Sequence, residues 1–162
     1  MKNVKSKSAF SMIELVFVIV IIGILAAVAV PRLAATRDDA TITKNKVVVA
    51  SIRNALSMER QKRILRGDTT VITAVGDSTN AFDKFSKDKN ENQADVLEYP
   101  IKSEDAKDKW YFSEGTGKDG RDQYIFKSIL GDVAFEVVKG RFQCDADNTN
   151  NTNVTGCEQL TN

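Results

Sequence analysis

The stretch KSKSAFSMIELVFVIVIIGILAAVAVP, residues 5–31, decides how the rest of the chain is read. Residues 10–30 make a run of 21 that is apolar or small except at Ser11 and Glu14. As a helix this run spans about 31 Å at 1.5 Å per residue, against a bilayer core of about 30 Å. Lys2, Lys5 and Lys7 precede it, and no charge falls between Glu14 and Arg32. A secretory signal peptide would have a core of about 7–15 residues followed by a small-residue cleavage site. This run is too long, and its Ala-x-Ala pattern, Ala27-Val28-Ala29, lies near Pro31. The clustered lysines hold the first residues in the cytoplasm, so the bulk of the chain lies beyond the inner membrane.

Glu14 is the anomaly. A charged group toward the bilayer centre costs about 2.5–3.5 kcal/mol on insertion scales. Two readings are open. The side chain snorkels to the head groups near the cytoplasmic face, or it meets a positive partner within the apolar phase.

The composition of the whole 162-residue chain sets outer limits: one domain plus one appended segment. Lys plus Arg is 23 and Asp plus Glu is 22, a balance unlike that of a dedicated nucleic-acid binder, and nothing in it calls for nucleic acid in folding. There is no histidine, which excludes Ser-His-Asp and Cys-His catalysis and a His-rich metal site. No residue set converges on a nucleophile, a catalytic metal or a nucleotide site, so the chain reads as a non-enzyme. Two prolines and nine glycines are the composition of an ordered chain.

The motif AFSMIEL (residues 9–15), the apolar run and Pro31 together resemble the class III signal of type IV pilins and type II secretion pseudopilins. The resemblance covers residues 5–35 and implies the following. A prepilin peptidase cuts between Ala9 and Phe10, and the new amino terminus of Phe10 is N-methylated. Ala9 departs from the family's usual glycine, and its extra methyl slows processing. Removing residues 1–9 takes away three lysines and moves the formal charge from +1 to −2. Glu14 corresponds to the family's acidic residue. In a bundle it pairs with the Phe10 α-amine of a neighbouring copy, neutralising both groups and setting the axial register. Small residues at Gly23, Ala26, Ala27 and Ala29 let membrane helices approach closely. Gly23 and Pro31 make residues 23–31 the softest part of the helix, since Pro31 has no N–H for the Ala27 carbonyl. That predicts a static kink or, as the resemblance implies, local loss of helix on packing into a filament.

Residues 32–66 carry a helical pattern in Ile42, Val49, Ile52, Leu56 and Met58. Arg60, Lys62, Arg63 and Arg66 then supply cations to a last turn, which Gly67 closes as a C-cap; this explains the basic run better than a nucleic-acid patch does. Stem and stripe are expected to form one helix of about 50 residues, roughly 75 Å. DSTNAFDKFSKDKN (77–90) predicts a short helix with Ser78 or Thr79 as N-cap and Phe82 and Phe85 facing inward. KWYF, DQYIFKSI and DVAFEVVKGRFQ read as strands, divided by the turn signals EGTGKDGR and LGD, and predict an antiparallel meander. Trp110, Tyr124, Phe126, Phe135 and Phe142 are core candidates, and the sheet is where the helix buries its stripe. The expected fold is α+β and pilin-like, with a cleaved leader 1–9, a membrane or filament-core helix 10–31, an amphipathic half 32–67 and a globular domain 68–162.

Cys144 and Cys157 bound the polar loop CDADNTNNTNVTGC. The spacing is not that of a CxxC redox or zinc motif. Beyond the inner membrane the compartment is oxidising, so a disulfide is expected, stabilising by about 3 kcal/mol. It resembles the bridged C-terminal region of many type IV pilins; major pseudopilins commonly lack it and often hold calcium in a nearby loop. Asp145 and Asp147, with Asn148 and Asn150, are weak calcium candidates, because a calcium-binding EF-hand loop would want glycine sixth and glutamate twelfth. Asp119 and Asp122 are weaker. Asn150 and Asn153 head N-x-Thr triplets to which no glycan is assigned. Apart from calcium no cofactor is expected.

The expectation for function is a type IV pilus-like filament subunit serving adhesion, motility or DNA uptake. Its partners would be membrane lipid, prepilin peptidase, an inner-membrane assembly platform with a cytoplasmic ATPase, and copies of itself. It would sit in a bacterial inner membrane with its globular domain in the periplasm, then in a surface pilus. The alternatives are a type II secretion pseudopilin in a periplasmic pseudopilus and a single-pass periplasmic binding module that never polymerises.

Overall fold

The computed structural model describes residues 10–129, 131–145 and 154–161, with nothing to say of the side chains of Ala34, Ala35 and Val154. The chain divides into two compact units, residues 1–39 and 40–162. One helix, α1 (Met12–Leu65, 54 residues), begins in the first and ends in the second. Pro31 lies inside it without ending it.

In the second unit α1 is followed by β1 (Asn80–Phe82), β2 (Ile101–Lys102), β3 (Trp110–Ser113), β4 (Gln123–Ser128), β5 (Gly131–Val138), β6 (Arg141–Cys144) and α2 (Val154–Thr161). β3-β4-β5-β6 is the expected antiparallel meander, and β1 and β2 form a separate two-stranded sheet. The segment read as one strand over 132–143 is a hairpin. Lys139 and Gly140 both take positive φ (50° and 73°), the conformation a two-residue turn needs to match strand twist. A lysine at the first turn position gave little signal for it.

The register explains the core. Trp110 pairs with Phe126, Phe112 with Tyr124, Tyr124 with Phe135, Phe126 with Val133, Phe135 with Cys144 and Val137 with Phe142. Directly paired residues share a face, so one side of the sheet is almost wholly aromatic and β-branched. Phe135 and Phe142 stack with centroids 4.9 Å apart, and Phe82 meets Trp110 edge-on at 5.0 Å. All five predicted aromatic core residues are buried.

Val49, Ile52 and Leu56 of α1 belong to this core, with Ile42 packed at its margin. Met58 does not: it is 68% exposed, because it falls off the 3-4 spacing that the buried positions keep. That spacing runs 42, 45, 49, 52, 56, 59, 63, and three of the seven are polar. Asn45 is buried, donates to the Thr41 carbonyl (2.8 Å) and accepts the indole N–H of Trp110 (2.7 Å). Tyr124 is satisfied similarly, accepting the Val75 N–H at 2.9 Å, and burial raises its pKa.

Glu59 and Arg63 close the stripe. Arg63, expected as a cation of the last helical turn, is 1% exposed; its Nε donates to Glu59 (3.1 Å) and its Nη2 to the Ser86 carbonyl (2.5 Å). Glu59 also meets Lys62 (3.8 Å) and Arg66 (3.5 Å). The glycine cap is as expected. Gly67 has φ 70°, its N–H donates to the Ile64 carbonyl (2.9 Å), and the Asp68 N–H donates to that of Arg63 (2.8 Å).

The helix expected within 77–90 is absent. Asp77 does accept from the Thr79 and Asn80 N–H groups (2.8 and 3.2 Å), as a helix N-cap would, in place of Ser78 or Thr79. The chain then folds back: the Asp77 N–H donates to the Asn80 carbonyl (3.0 Å), and a Cβ at Gly76 would overlap the Ala81 carbonyl. The segment continues as β1 against β2, and Phe82 and Phe85 still face inward. Tertiary burial overrides the local helix signal here.

Asn45→Ala strands the buried Trp110 N–H and is expected to cost about 1–3 kcal/mol, read from urea denaturation of the detergent-solubilised chain. Hydrogen bonds from the Thr70 hydroxyl and amide hold Asp68 at a pKa of about 2, and the Asn92 amide lowers Asp88. Depressed carboxylates stabilise the fold above their unfolded pKa, near 4, and lose that contribution as pH falls through the folded value. Stability should therefore decline between about pH 4 and pH 2, and Asp68→Asn should make that decline shallower in thermal melts across the range.

Candidate functional site: the apolar stem and the bridged tail

Phe10 and Ser11 precede α1. Ser11 is the N-cap: its Oγ accepts the Glu14 N–H at 3.2 Å, and its carbonyl accepts the Leu15 N–H at 3.2 Å. Glu14 is thereby the third helical residue, in the first turn, where the positive end of the helix dipole favours a carboxylate by about 0.3–1 kcal/mol. The Ser-x-x-Glu spacing of a capping box was legible at Ser11 and Glu14 and is the signal that sequence reasoning passed over. The Glu14 backbone N–H makes the bond to the cap, and its carboxylate sits at the positive end of the helix dipole, alongside the role expected between chains. Ala9, the other half of the expected cleavage site, lies outside the described residues.

Beyond this cap the stem has no cover of its own. Large apolar side chains from Phe10 to Leu33 are exposed, Phe10 at 78% and Leu25 at 64%. Among the described residues α1 is the one helix long and apolar enough to cross a membrane, by length and composition. A Cβ at Gly23 would meet nothing within 4 Å, so nothing within the chain requires that glycine. Single exposed apolar residues are ordinary; a continuous surface of them marks a binding or membrane face.

At the other end, Cys144 closes β6 and Cys157 sits in α2, and the two form a disulfide with Cα atoms 5.8 Å apart. α2 went unread because it is short and lies in what looks like a polar tail. It packs against β5 and buries Cys157 and Leu160. Among the calcium candidates, Asp145 accepts from the Gln123 amide (3.1 Å), while Asp147, Asn148 and Asn150 lie outside the described residues, as does Asn153 of the second N-x-Thr triplet. Asp119 pairs with Arg121 (2.7 Å), and Asp122 accepts the Gly115 N–H (3.1 Å). No group of three or more metal-binding side chains occurs among the described residues. The glycine-rich turn serves structure instead. The buried Glu136 accepts from the Lys118 amide (2.8 Å) and Arg121 (3.0 Å), and a Cβ at Gly117 would overlap its carboxylate.

An N-capped, uncovered apolar helix leading into a helix-on-sheet domain with a bridged end is the plan of a subunit anchored or assembled through its amino terminus. Residues 4–30 match the family described as the prokaryotic N-terminal methylation motif. The chain is also 41% identical over 54 residues to the type II secretion system core protein G of Pseudomonas aeruginosa, a match covering 33% of this chain and 38% of that protein. No solved structure matches. These matches support the type IV pilin and type II secretion pseudopilin family for the amino-terminal segment, and the chain spans well under half the length of the relative it matches. The motif and the apolar helix fit a membrane-anchored member of it.

Cleaving the bridge tests the tail. The Cys144→Ser, Cys157→Ser double variant should lose about 3 kcal/mol of stability by the loop-entropy relation. Urea denaturation of the oxidised and variant proteins reads the difference. Proteinase K, which needs no basic residue, should cut the variant within the tail before the sheet unfolds; the tail beyond Arg141 has no lysine or arginine.

Proposed function

We propose that the chain is a structural subunit of a type IV pilus-like filament, held in the inner membrane by its stem, processed by prepilin peptidase and polymerised through residues 10–31. The observation that carries this reading is the uncovered stem, apolar on every side of α1. Such a helix is stable only in lipid or among other apolar helices. Extraction from the bilayer is then coupled to burial in a filament core, driven by an assembly platform and a cytoplasmic ATPase. Cleavage before Phe10 frees an α-amine on the residue preceding the cap. Glu14 pairs with that amine on the neighbouring copy, and Gly23 admits close helix approach. Pro31, which leaves the Ala27 carbonyl without its helical donor, gives the filament its extensible turn. The bridged tail supports the surface-pilus reading.

A second reading has its own support: the similarity to a type II secretion core protein favours a pseudopilin of a periplasmic pseudopilus. Electron microscopy of sheared surface material separates the two, since a pseudopilus leaves none while its loss stops export of secreted proteins. Calcium at Asp145 and Asp147 belongs with this second reading, and a rise in melting temperature with calcium that chelator reverses is its test.

Mass spectrometry of the mature protein should find residues 1–9 removed and Phe10 N-methylated. An intact leader on membrane-extracted protein would favour a non-polymerising anchor. Glu14→Leu should be exported and folded yet recovered in filaments at roughly a tenth of the wild-type amount or less, the loss of one desolvated ion pair being worth at least about 1.4 kcal/mol per contact. Normal assembly of the variant would remove the pairing role and leave Glu14 its part in the helix cap.

A further inference from the structure

The end of α1, residues 68–72 and the β5–β6 turn enclose a cavity of about 160 Å³ lined by Arg60, Arg63, Ile64, Val71, Ile72 and Lys139, with Asp68 and the hydroxyl-bearing Thr69 and Thr70. Its charges do not cancel. Asp68, the acid in the lining, is already occupied: one oxygen accepts the Thr70 N–H (2.9 Å) and hydroxyl (2.6 Å), the other the Lys89 N–H (3.2 Å). Glu59 and Asp88, the nearby buried acids, are taken by Lys62, Arg63 and Arg66. Arg60 and Lys139 have no ion-pair or hydrogen-bond partner among the described residues. Arg63 is 1% exposed, and its Nη1 is buried without an acceptor among them.

A buried, unmatched guanidinium donor costs about 1–3 kcal/mol and is rare without a reason. Helix C-termini normally repel anions, but here three of the last four helical carbonyls are taken by backbone amides. Those of Lys62, Arg63 and Ile64 accept the Arg66, Asp68 and Gly67 amides, and that of Gly67 accepts Lys89 Nζ (2.9 Å). The cavity therefore combines three cationic side chains with an apolar wall of Ile64, Val71 and Ile72, and a second, more open cavity continues from it past Arg60 and Gly140 to Arg53 and Arg141.

We propose that this cavity is a binding site for an oxyanion, a carboxylate or a phosphate group, held by Arg60, Arg63 and Lys139. Arginine suits either group because its planar fork matches two oxygens at once. The site lies wholly within residues 40–162 and stands independently of filament assembly.

The test uses the full chain in a zwitterionic detergent, titrated with sodium phosphate and, separately, sodium butyrate, each against sodium chloride at matched ionic strength. Amide NMR shifts at residues 69–72 and 140 should move saturably with at least one probe. Phosphate alone would assign a phosphate group, and butyrate alone a carboxylate on an aliphatic stem using the apolar wall. The Arg60→Ala, Lys139→Ala double variant should weaken binding by about tenfold or more while melting as wild type does in chloride, both replaced side chains being cations without partners. Shifts no larger than those in chloride, or saturable shifts unchanged in the double variant, would overturn the proposal. The wild-type map alone decides the matter should the variant not fold.

Discussion

The structure of residues 40–162 depends on one contact: the 3-4 stripe of α1 laid across the aromatic face of the four-stranded sheet. Val49, Ile52 and Leu56 supply the apolar burial at its centre. Asn45, bonded to the Trp110 indole, sets where along the sheet the helix can sit. Glu59 and Arg63 do the same work at the far end by tying the helix to the chain at Ser86. Hydrophobic burial is non-directional, so an all-leucine stripe could slide by a turn. Buried polar atoms that must find their partners forbid it, because each lost pairing costs more than the pairing gains.

The same helix meets opposite demands in its two stretches. In residues 40–65 it carries one apolar stripe and keeps the other faces polar. In residues 12–33, Glu14 and Arg32 apart, it is apolar all round and uncovered. A helix of the first kind is completed by its own domain. One of the second kind is completed by lipid or other helices, since no sheet could cover every side of it. Folding of the domain and burial of the stem are therefore separate problems, solved by separate surfaces.

How much of this was legible in the sequence differs by element. The stem was plain, because length and hydropathy need no partner to be read. The meander was plain in β3, β4 and β5, where aromatic and β-branched residues cluster between turn signals. The hairpin at Lys139 and Gly140 was hidden because lysine in a left-handed conformation has no strong sequence signature. The predicted helix over 77–90 failed for a tertiary reason: Asp77 supplies the cap, but Gly76 and Ala81 touch and turn the chain into a strand. Helix α2 was concealed by its length; eight residues are too few to be stable alone, and it rests on burial of Cys157 and Leu160.

At the amino terminus the balance is reversed. The apolar run with Ser11, Glu14, Gly23 and Pro31 is read from linear spacing, since a helix of fixed rise aligns these positions without any distant contact. The sequence by itself therefore determined the apolar stem, its continuation as one helix and the methylation motif that this segment matches. Only the tertiary structure decided that Arg63 is buried, that Asn45 serves Trp110, that the bridged tail ends in a helix, and that Arg60, Arg63 and Lys139 line one cavity. The physical reason is that burial and charge compensation are properties of residues distant in sequence, and a chain of letters does not state which carboxylates are already occupied.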